Sequence, residues 1–180
     1  MQQSNRKVIL FIAMSLDGFV AKSDGDIRFL SIVEQEGEDY GYTSFLESVD
    51  TVILGRKTYD KVLSTVSELA YGDKNVFVLT RNPQLTTHKI TFYSGNLSEL
   101  ISTLKSNEGQ NIFCDGGAET VHRFLLNNLF DEIIISIIPV LLGDGIRLFN
   151  ESFQEKKLQL IQSKSFEKGL VQLHYRVRKD

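Results

Sequence analysis

Three stretches of this chain bring glycine, hydroxyl and cationic side chains to places where a strand gives way to a helix. In one of them Ile112, Phe113 and Cys114 form a short apolar run, and Asp115-Gly116-Gly117 interrupts it. Ala118, Val121, Phe124, Leu125 and Leu129 then recur at helical spacing. A glycine pair removes two Cβ atoms at the turn, so a ligand can approach the backbone closely. The first free N–H groups of the helix would form an anion site there, with a phosphate or pyrophosphate as its natural occupant. Taken alone, the pair reads equally well as a tight turn whose glycines only satisfy φ.

The second stretch, Val52-Ile53-Leu54-Gly55-Arg56-Lys57-Thr58-Tyr59, repeats the pattern with more charge. Arg56 can grip a phosphate with a bidentate fork, Lys57 adds a point charge, and Thr58 can donate a hydrogen bond. A third strand end, Leu79-Thr80-Arg81, supplies another hydroxyl and another guanidinium. Ligands of open α/β sheets settle at the carboxyl ends of the strands. Three such ends carrying Gly, Arg, Lys and Thr together favour a phosphate-rich ligand such as a dinucleotide over a set of solvated turns.

Strands and helices must alternate to position these ends. Strands are expected at Val8–Met14, Thr51–Leu54, Asn75–Leu79, Ile90–Tyr93 and Glu132–Ile138, the last nearly all β-branched and so buried on both faces. Helices are expected over Tyr40–Val49, from Lys57 to Leu63 and on toward Leu69, and after Asn96. There Asn96 and Glu99 have capping-box spacing, Leu97, Leu100, Ile101 and Leu104 form the stripe, and Gly109 is the stop. A long connection holding Asp24-Gly25-Asp26 runs to about Glu38, Thr80-Arg81-Asn82-Pro83 reads as a turn, and so does Gly143-Asp144-Gly145, leading into Ile146 and Leu148. Leu158–Phe166 and Leu170–Val177 read as a hairpin whose second strand has a wet face of Gln172, His174, Arg176 and Arg178. The fold class is α/β: a mostly parallel central sheet flanked by helices, ending in an antiparallel C-terminal hairpin.

Composition sets the bounds. A chain of 180 residues with 42% hydrophobic and 24% charged content is ordinary for one soluble domain spanning residues 1–180. A net charge of −3, with no cluster of Lys and Arg, gives no footprint for nucleic acid. The apolar run Val8–Met14 is far shorter than the roughly 20 residues a spanning helix needs, and Ser15-Leu16-Asp17-Gly18 after it offers no cleavage site. No membrane partner is expected, and the protein reads as cytoplasmic. The sole cysteine, Cys114, excludes an internal disulfide and reads as a small core residue.

The order of the motifs carries a resemblance. Ile12-Ala13-Met14-Ser15-Leu16-Asp17-Gly18, Gly55-Arg56-Lys57-Thr58-Tyr59, Leu79-Thr80-Arg81, Asp115-Gly116-Gly117-Ala118 and Pro139-Val140-Leu141-Leu142-Gly143-Asp144-Gly145 together resemble the dihydrofolate reductase-like superfamily. More closely, the chain is similar to the C-terminal reductase domain of the riboflavin-biosynthesis deaminase-reductase, in its stand-alone bacterial form. The resemblance implies a reductase that binds NADPH and a small-molecule substrate. It implies Ala13 and Met14 near the nicotinamide, and Gly55, Arg56, Lys57 and Thr58 on the phosphates. Thr80 and Arg81 would lie near the adenosine 2′-phosphate, and Gly116, Gly117, Ala118, Glu119 and Thr120 around the pyrophosphate. It also implies a homodimer, with the strand Ile133–Ile138 and Pro139 near the interface.

Departures from folate reductases narrow the chemistry. The chain has no Trp, and so lacks the Pro-Trp pair of the loop after the first strand. Asp39 falls where those enzymes carry the carboxylate that grips the pterin, inside the acidic cluster Glu34, Glu36, Glu38, Asp39, and is the candidate catalytic residue. That cluster also reads as a solvated helix start. Asp17 and Asp115 match positions lining the cleft of riboflavin-type relatives and are the candidate substrate contacts, though Asp17 could simply organise the turn at Gly18. No metal is expected: His88, His122 and His174 share no ligand spacing with Cys114. A calcium loop from Asp24 would have Phe29 and Gln35 at its sixth and twelfth positions, and Gly55-Arg56-Lys57-Thr58 lacks the upstream glycine of a P-loop. The expected function is hydride transfer from NADPH to a small heterocyclic or pentose-derived substrate. Two alternatives stay open: a nucleotide-binding sensor without turnover, and a true dihydrofolate reductase.

Overall fold

The computed structural model describes residues 6–65, 69–82, 84–86, 89–150 and 152–179. Its strands are β1 (Val8–Ser15), β2 (Phe19–Ala21), β3 (Val49–Gly55), β4 (Asn75–Leu79), β5 (Ile90–Tyr93), β6 (Asn111–Gly116), β7 (Glu132–Ile138), β8 (Ile146–Arg147), β9 (Leu158–Ser165) and β10 (Val171–Val177). Its helices are α1 (Tyr42–Glu47), α2 (Arg56–Leu63), α3 (Leu97–Ser106) and α4 (Ala118–Leu126). Eight strands form one sheet in the order β5-β4-β3-β6-β1-β7-β10-β9. From β5 to β7 all pairings are parallel, and β10 and β9 close the sheet in antiparallel register.

Alternation along the strands decides what each face of the sheet packs against. Leu10, Ile53, Ile112, Cys114 and Ile133 point to a core covered by α3 and α4 through Leu100, Ile101, Val121 and Phe124. Ile9, Val52, Leu54 and Phe113 point the other way, into an aromatic cluster with Phe45, Tyr71, Phe11, Tyr42 and Tyr59. Phe113 is its hub: fully buried, it meets Phe45 edge-on at 5.0 Å and Tyr42 and Tyr71 at 6.3 and 6.4 Å. A smaller cluster of Phe29, Val33, Ile138 and Leu170 lies beyond it. Helix α3 starts as its sequence dictates, with the Asn96 side chain accepting from the N–H groups of Ser98 and Glu99 at 2.8 and 3.2 Å.

Several expectations need correction. The connection from Ser15 to Glu38 holds β2, paired antiparallel with the distant β8, and a 3₁₀ helix at Arg28–Val33. Such short elements are fixed by partners more than a hundred residues away, so local periodicity cannot reveal them. The helix expected over Tyr40–Val49 is confined to α1, because Tyr40 and Gly41 take positive φ and Val49 already pairs with Asn111 of β6. On β10, Gln172 and His174 do not form a wet face: both are half-buried and bond to Ser136 and Glu132 of β7. Helix α2 ends at Leu63 with Ser64 as its C-cap, so the continuation expected toward Leu69 does not form at Ser64 and Thr65; Pro83, His88 and residues 66–68 lie outside the described residues.

Replacing the hub tests this account of the aromatic face. Phe113→Ala should lower unfolding free energy by about 3–5 kcal/mol in urea titrations. A loss under about 1 kcal/mol would mean that the cluster does not depend on this ring.

Candidate functional site

Gly55 and Gly116 end neighbouring parallel strands, so the N-termini of α2 and α4 open at the same end of the sheet. Neither helix has a side-chain cap, so among the described residues no side chain engages the first-turn N–H groups of Arg56, Lys57, Ala118 and Glu119, which can face an anion. The two ends interlock. The Gly117 N–H donates to the Thr58 hydroxyl at 2.8 Å, and a Cβ on Gly117 would sit 3.1 Å from that oxygen. A Cβ on Gly55 would lie 2.6 Å from the hydroxyl of buried Thr120. Gly116 has φ +104°, and the Gly116–Gly117 peptide is cis. Thr58 and Thr120, expected only as phosphate ligands, therefore also fasten the two junctions together.

The cations around this end differ in freedom. Arg56 donates through Nε to both Asp60 oxygens at 2.7 and 2.8 Å, and its guanidinium lies 5.5 Å from the Phe92 ring centre. Lys57 is almost fully exposed, with Glu119 4.0 Å away. Gly55 pairs with Leu79, so Thr80 and Arg81 follow one step beyond the β3 end. The Thr80 hydroxyl accepts from the Asn82 N–H at 3.1 Å and shapes that turn. Arg81 is exposed and has no ion pair among the described residues. Of the two β1 residues expected near a nicotinamide, Met14 packs against the α3–α4 core, whereas Ala13 lines a cavity of about 610 Å³.

That cavity lies where the aromatic and smaller clusters meet, between Phe11 and Tyr42 on one side and Leu30, Val33, Ile138 and Leu170 on the other. Asp39 stands on its rim, but its oxygens accept from the N–H groups of Gly41 and Thr43, both at 2.9 Å, at the start of α1; the Thr43 side chain above all, and then these N–H groups, lower its pKa. Asp17 is elsewhere. It accepts from the Ser15 hydroxyl at 2.6 Å and from the Leu142 and Gly143 N–H groups at 3.1 and 2.7 Å. The Ser15 bond above all brings its pKa down to about 2, and the carboxylate ties the turn after β1 to the 140s loop.

Asp115 is the unusual carboxylate. Ile53 pairs with Cys114 but Leu54 with Gly116, so Asp115 is the extra residue of a bulge in β6. The bulge aims it at the aromatic face, where it accepts from the Tyr71 hydroxyl at 2.8 Å. Burial outweighs that bond and raises its pKa above the usual carboxylate range. Burial, and after it the Asp115 charge, pushes the Tyr42 phenol up to about 12. Tyr42 is both a wall of the cavity and an electrostatic neighbour of Asp115. The three candidate carboxylates thus occupy three separate places. No group of three His, Cys, Asp or Glu suited to a metal occurs among the described residues. Burial likewise raises the Cys114 thiol, which suits its core position. No helix among the described residues is long and apolar enough to cross a membrane.

The fold is that of a dihydrofolate reductase-like α/β domain. The chain belongs to the family of the RibD C-terminal domain, whose model matches residues 6–172. It is 45% identical over 171 residues to the Bacillus subtilis protein YwjB, covering 94% of this chain and 97% of that one. A crystal structure of a putative riboflavin biosynthesis protein from Shewanella sp. PV-4 superposes with a TM-score of 0.87 at 32% identity, over 96% of this chain and 99% of the other. Dihydrofolate reductase from Enterococcus faecalis, complexed with NADP(H), shares the fold at TM-score 0.68 and 13% identity, over 98% of this chain and 99% of the other.

Sequence reasoning missed Tyr71, Tyr42 and Ser136. Neither tyrosine carries a local signal, because each meets Asp115 only through the fold. Ser136 had one: it is the single hydroxyl inside the β-branched run of β7.

Asp115 gives a testable pH dependence. Its raised pKa means that the folded protein holds this proton to higher pH than the unfolded chain, where the value is near 3.8. The associated stability is complete below about pH 3.8 and is lost as pH rises through the raised value. Asp115→Asn keeps an acceptor for Tyr71 and should be more stable than the unaltered protein at pH 7, with the gap closing toward pH 4 in urea titrations. A variant less stable at pH 7 would contradict this.

Proposed function

We propose that the protein is an NADPH-dependent reductase acting on a small heterocyclic or pentose-derived substrate. The observation that carries this reading is the interlocked pair of uncapped helix N-termini at Gly55–Arg56 and Gly117–Ala118. They present two sets of N–H groups at one sheet end, which suits the two phosphates of a dinucleotide. In this reading Gly116, Gly117, Ala118, Glu119 and Thr120 hold one side of the pyrophosphate, and Gly55, Arg56, Lys57 and Thr58 the other. Thr80 and Arg81 receive the 2′-phosphate.

The bound nicotinamide would supply the hydride. The chain's own residues bind, orient and manage a proton. Ala13 and Met14 border the ring's place, and the small Ala13 side chain leaves room above β1. Asp115, whose pKa burial raises and whose carboxyl Tyr71 orients, is the proton reservoir. Asp39 and Asp17, whose oxygens already bind backbone N–H groups, shape the cavity rim and the loop over β1.

A homodimer is part of the same proposal, with its surface on β9. That strand is at the sheet edge and exposed along its whole length, including Leu158, Leu160 and Ile161. Leu160→Glu should shift sedimentation from dimer to monomer; a monomeric unaltered protein would refute it.

Cofactor preference tests the main claim. NADPH should bind at least tenfold more tightly than NADH by calorimetry. Arg81→Ala should erase most of that preference, and Arg56→Ala less, because Arg56 is already paired with Asp60. Equal affinities for the two cofactors in the unaltered protein would sink the reading. Tight NADPH binding without oxidation across pterin, pyrimidine, carbonyl and imine substrates would leave a sensor instead.

A further inference from the structure

The cavity beside Ala13 carries information about its occupant; calling that occupant a substrate rests on the reductase reading. Glu34, Glu36, Glu38 and Asp39 stand on its rim, and its lining includes no Lys or Arg among the described residues. None of the four is in an ion pair with a described residue. Glu38 accepts from the Tyr40 N–H at 2.8 Å and Asp39 from the Thr43 N–H at 2.9 Å, while no hydrogen bond engages the carboxylate of Glu34 or Glu36 among the described residues. The rim is therefore a fixed source of negative potential beside apolar walls.

Tyr40 holds this rim in place. Its hydroxyl donates to the Val33 carbonyl across the loop, and its ring meets Phe166 edge-on at 4.8 Å. Its carbonyl accepts from Gln172 Nε2 at 3.0 Å. The same Nε2 donates to the Ser136 hydroxyl at 3.1 Å, so both amide hydrogens are engaged. Ser136 is 5% exposed, sits across from Ala13 in the sheet and lines the cavity. Its oxygen accepts from Gln172, and its own proton has no acceptor among the described residues. It is thus a buried donor on the cavity floor, positioned by a residue that also anchors the rim.

We infer that this cavity takes an unphosphorylated heterocycle, neutral or cationic, and discriminates against its phosphorylated counterpart. The flat body lies among Phe11, Tyr42, Leu30 and Ile138. A ring nitrogen or carbonyl accepts the Ser136 proton, and amino groups or positive charge face Glu34 and Glu36. About 610 Å³ fits one or two rings with a small substituent. A phosphate in the same space would meet like charges and no cation, a built-in rejection.

Matched probes test this. Cytidine, cytidine 5′-monophosphate and 2,4-diaminopyrimidine are titrated against the protein while the methyl resonances of Ala13, Leu30 and Ile138 are followed by NMR. Cytidine and 2,4-diaminopyrimidine should shift these methyls, and the monophosphate should bind at least tenfold more weakly than cytidine. Glu34→Lys with Glu36→Lys, both exposed positions, should narrow or reverse that ratio. A monophosphate that binds as tightly as cytidine, or cavity methyls that respond to none of the probes, would overturn the inference. NADPH titrated separately is read at the amides of Ala118 and Glu119, so failure of the cofactor reading and failure of this one are told apart.

Discussion

Gly55 and Gly117 each face a threonine hydroxyl from the neighbouring strand end: a Cβ on Gly55 would clash with it, and one on Gly117 would crowd it. Thr58 receives the Gly117 N–H, and Thr120 fills the space that a Cβ on Gly55 would need. This contact keeps the ends of β3 and β6 together, although α2 and α4 leave for different sides of the sheet. Everything proposed for the cofactor depends on it, because two separate helix N-termini become one surface lined with N–H donors. The threonines read from the sequence as ligands are, in the folded chain, first of all the fasteners of that surface.

One strand serves three environments in succession. Cys114 enters the α3–α4 core, where burial keeps its thiol protonated. Asp115, displaced by the bulge, turns to the aromatic face and Tyr71. Gly116 then brings the backbone to the strand-end surface. A buried carboxylate with a raised pKa and the glycine junction are thereby adjacent in sequence, yet they face different surroundings. Burying a carboxylate is unfavourable, and a protein that retains one with a raised pKa holds a group suited to proton transfer.

Much of this was legible beforehand. Runs such as Asn75–Leu79 and Ile90–Tyr93 match their strands residue for residue, because β-branched side chains bounded by polar turns leave little choice. The glycine junctions were legible too, since strand, glycine and helix follow each other within a few residues. What escaped depends on contacts distant in sequence. The β2–β8 pair joins positions over a hundred residues apart, and the Asp115 bulge shows only in its register with β3. Gln172 was read as solvated from simple alternation, but its partners Tyr40 and Ser136 come from elsewhere in the chain. The three carboxylates, similar on paper, separated only once their hydrogen-bond donors were known.

The central claim is that the paired ends of β3 and β6 form a dinucleotide site. Backbone amide NMR during an NADPH titration tests it most directly. The account predicts saturable shifts concentrated at Arg56, Lys57, Gly117, Ala118 and Glu119, with Arg81 also responding. Saturable shifts confined to other parts of the chain, or no binding at millimolar NADPH, would contradict it.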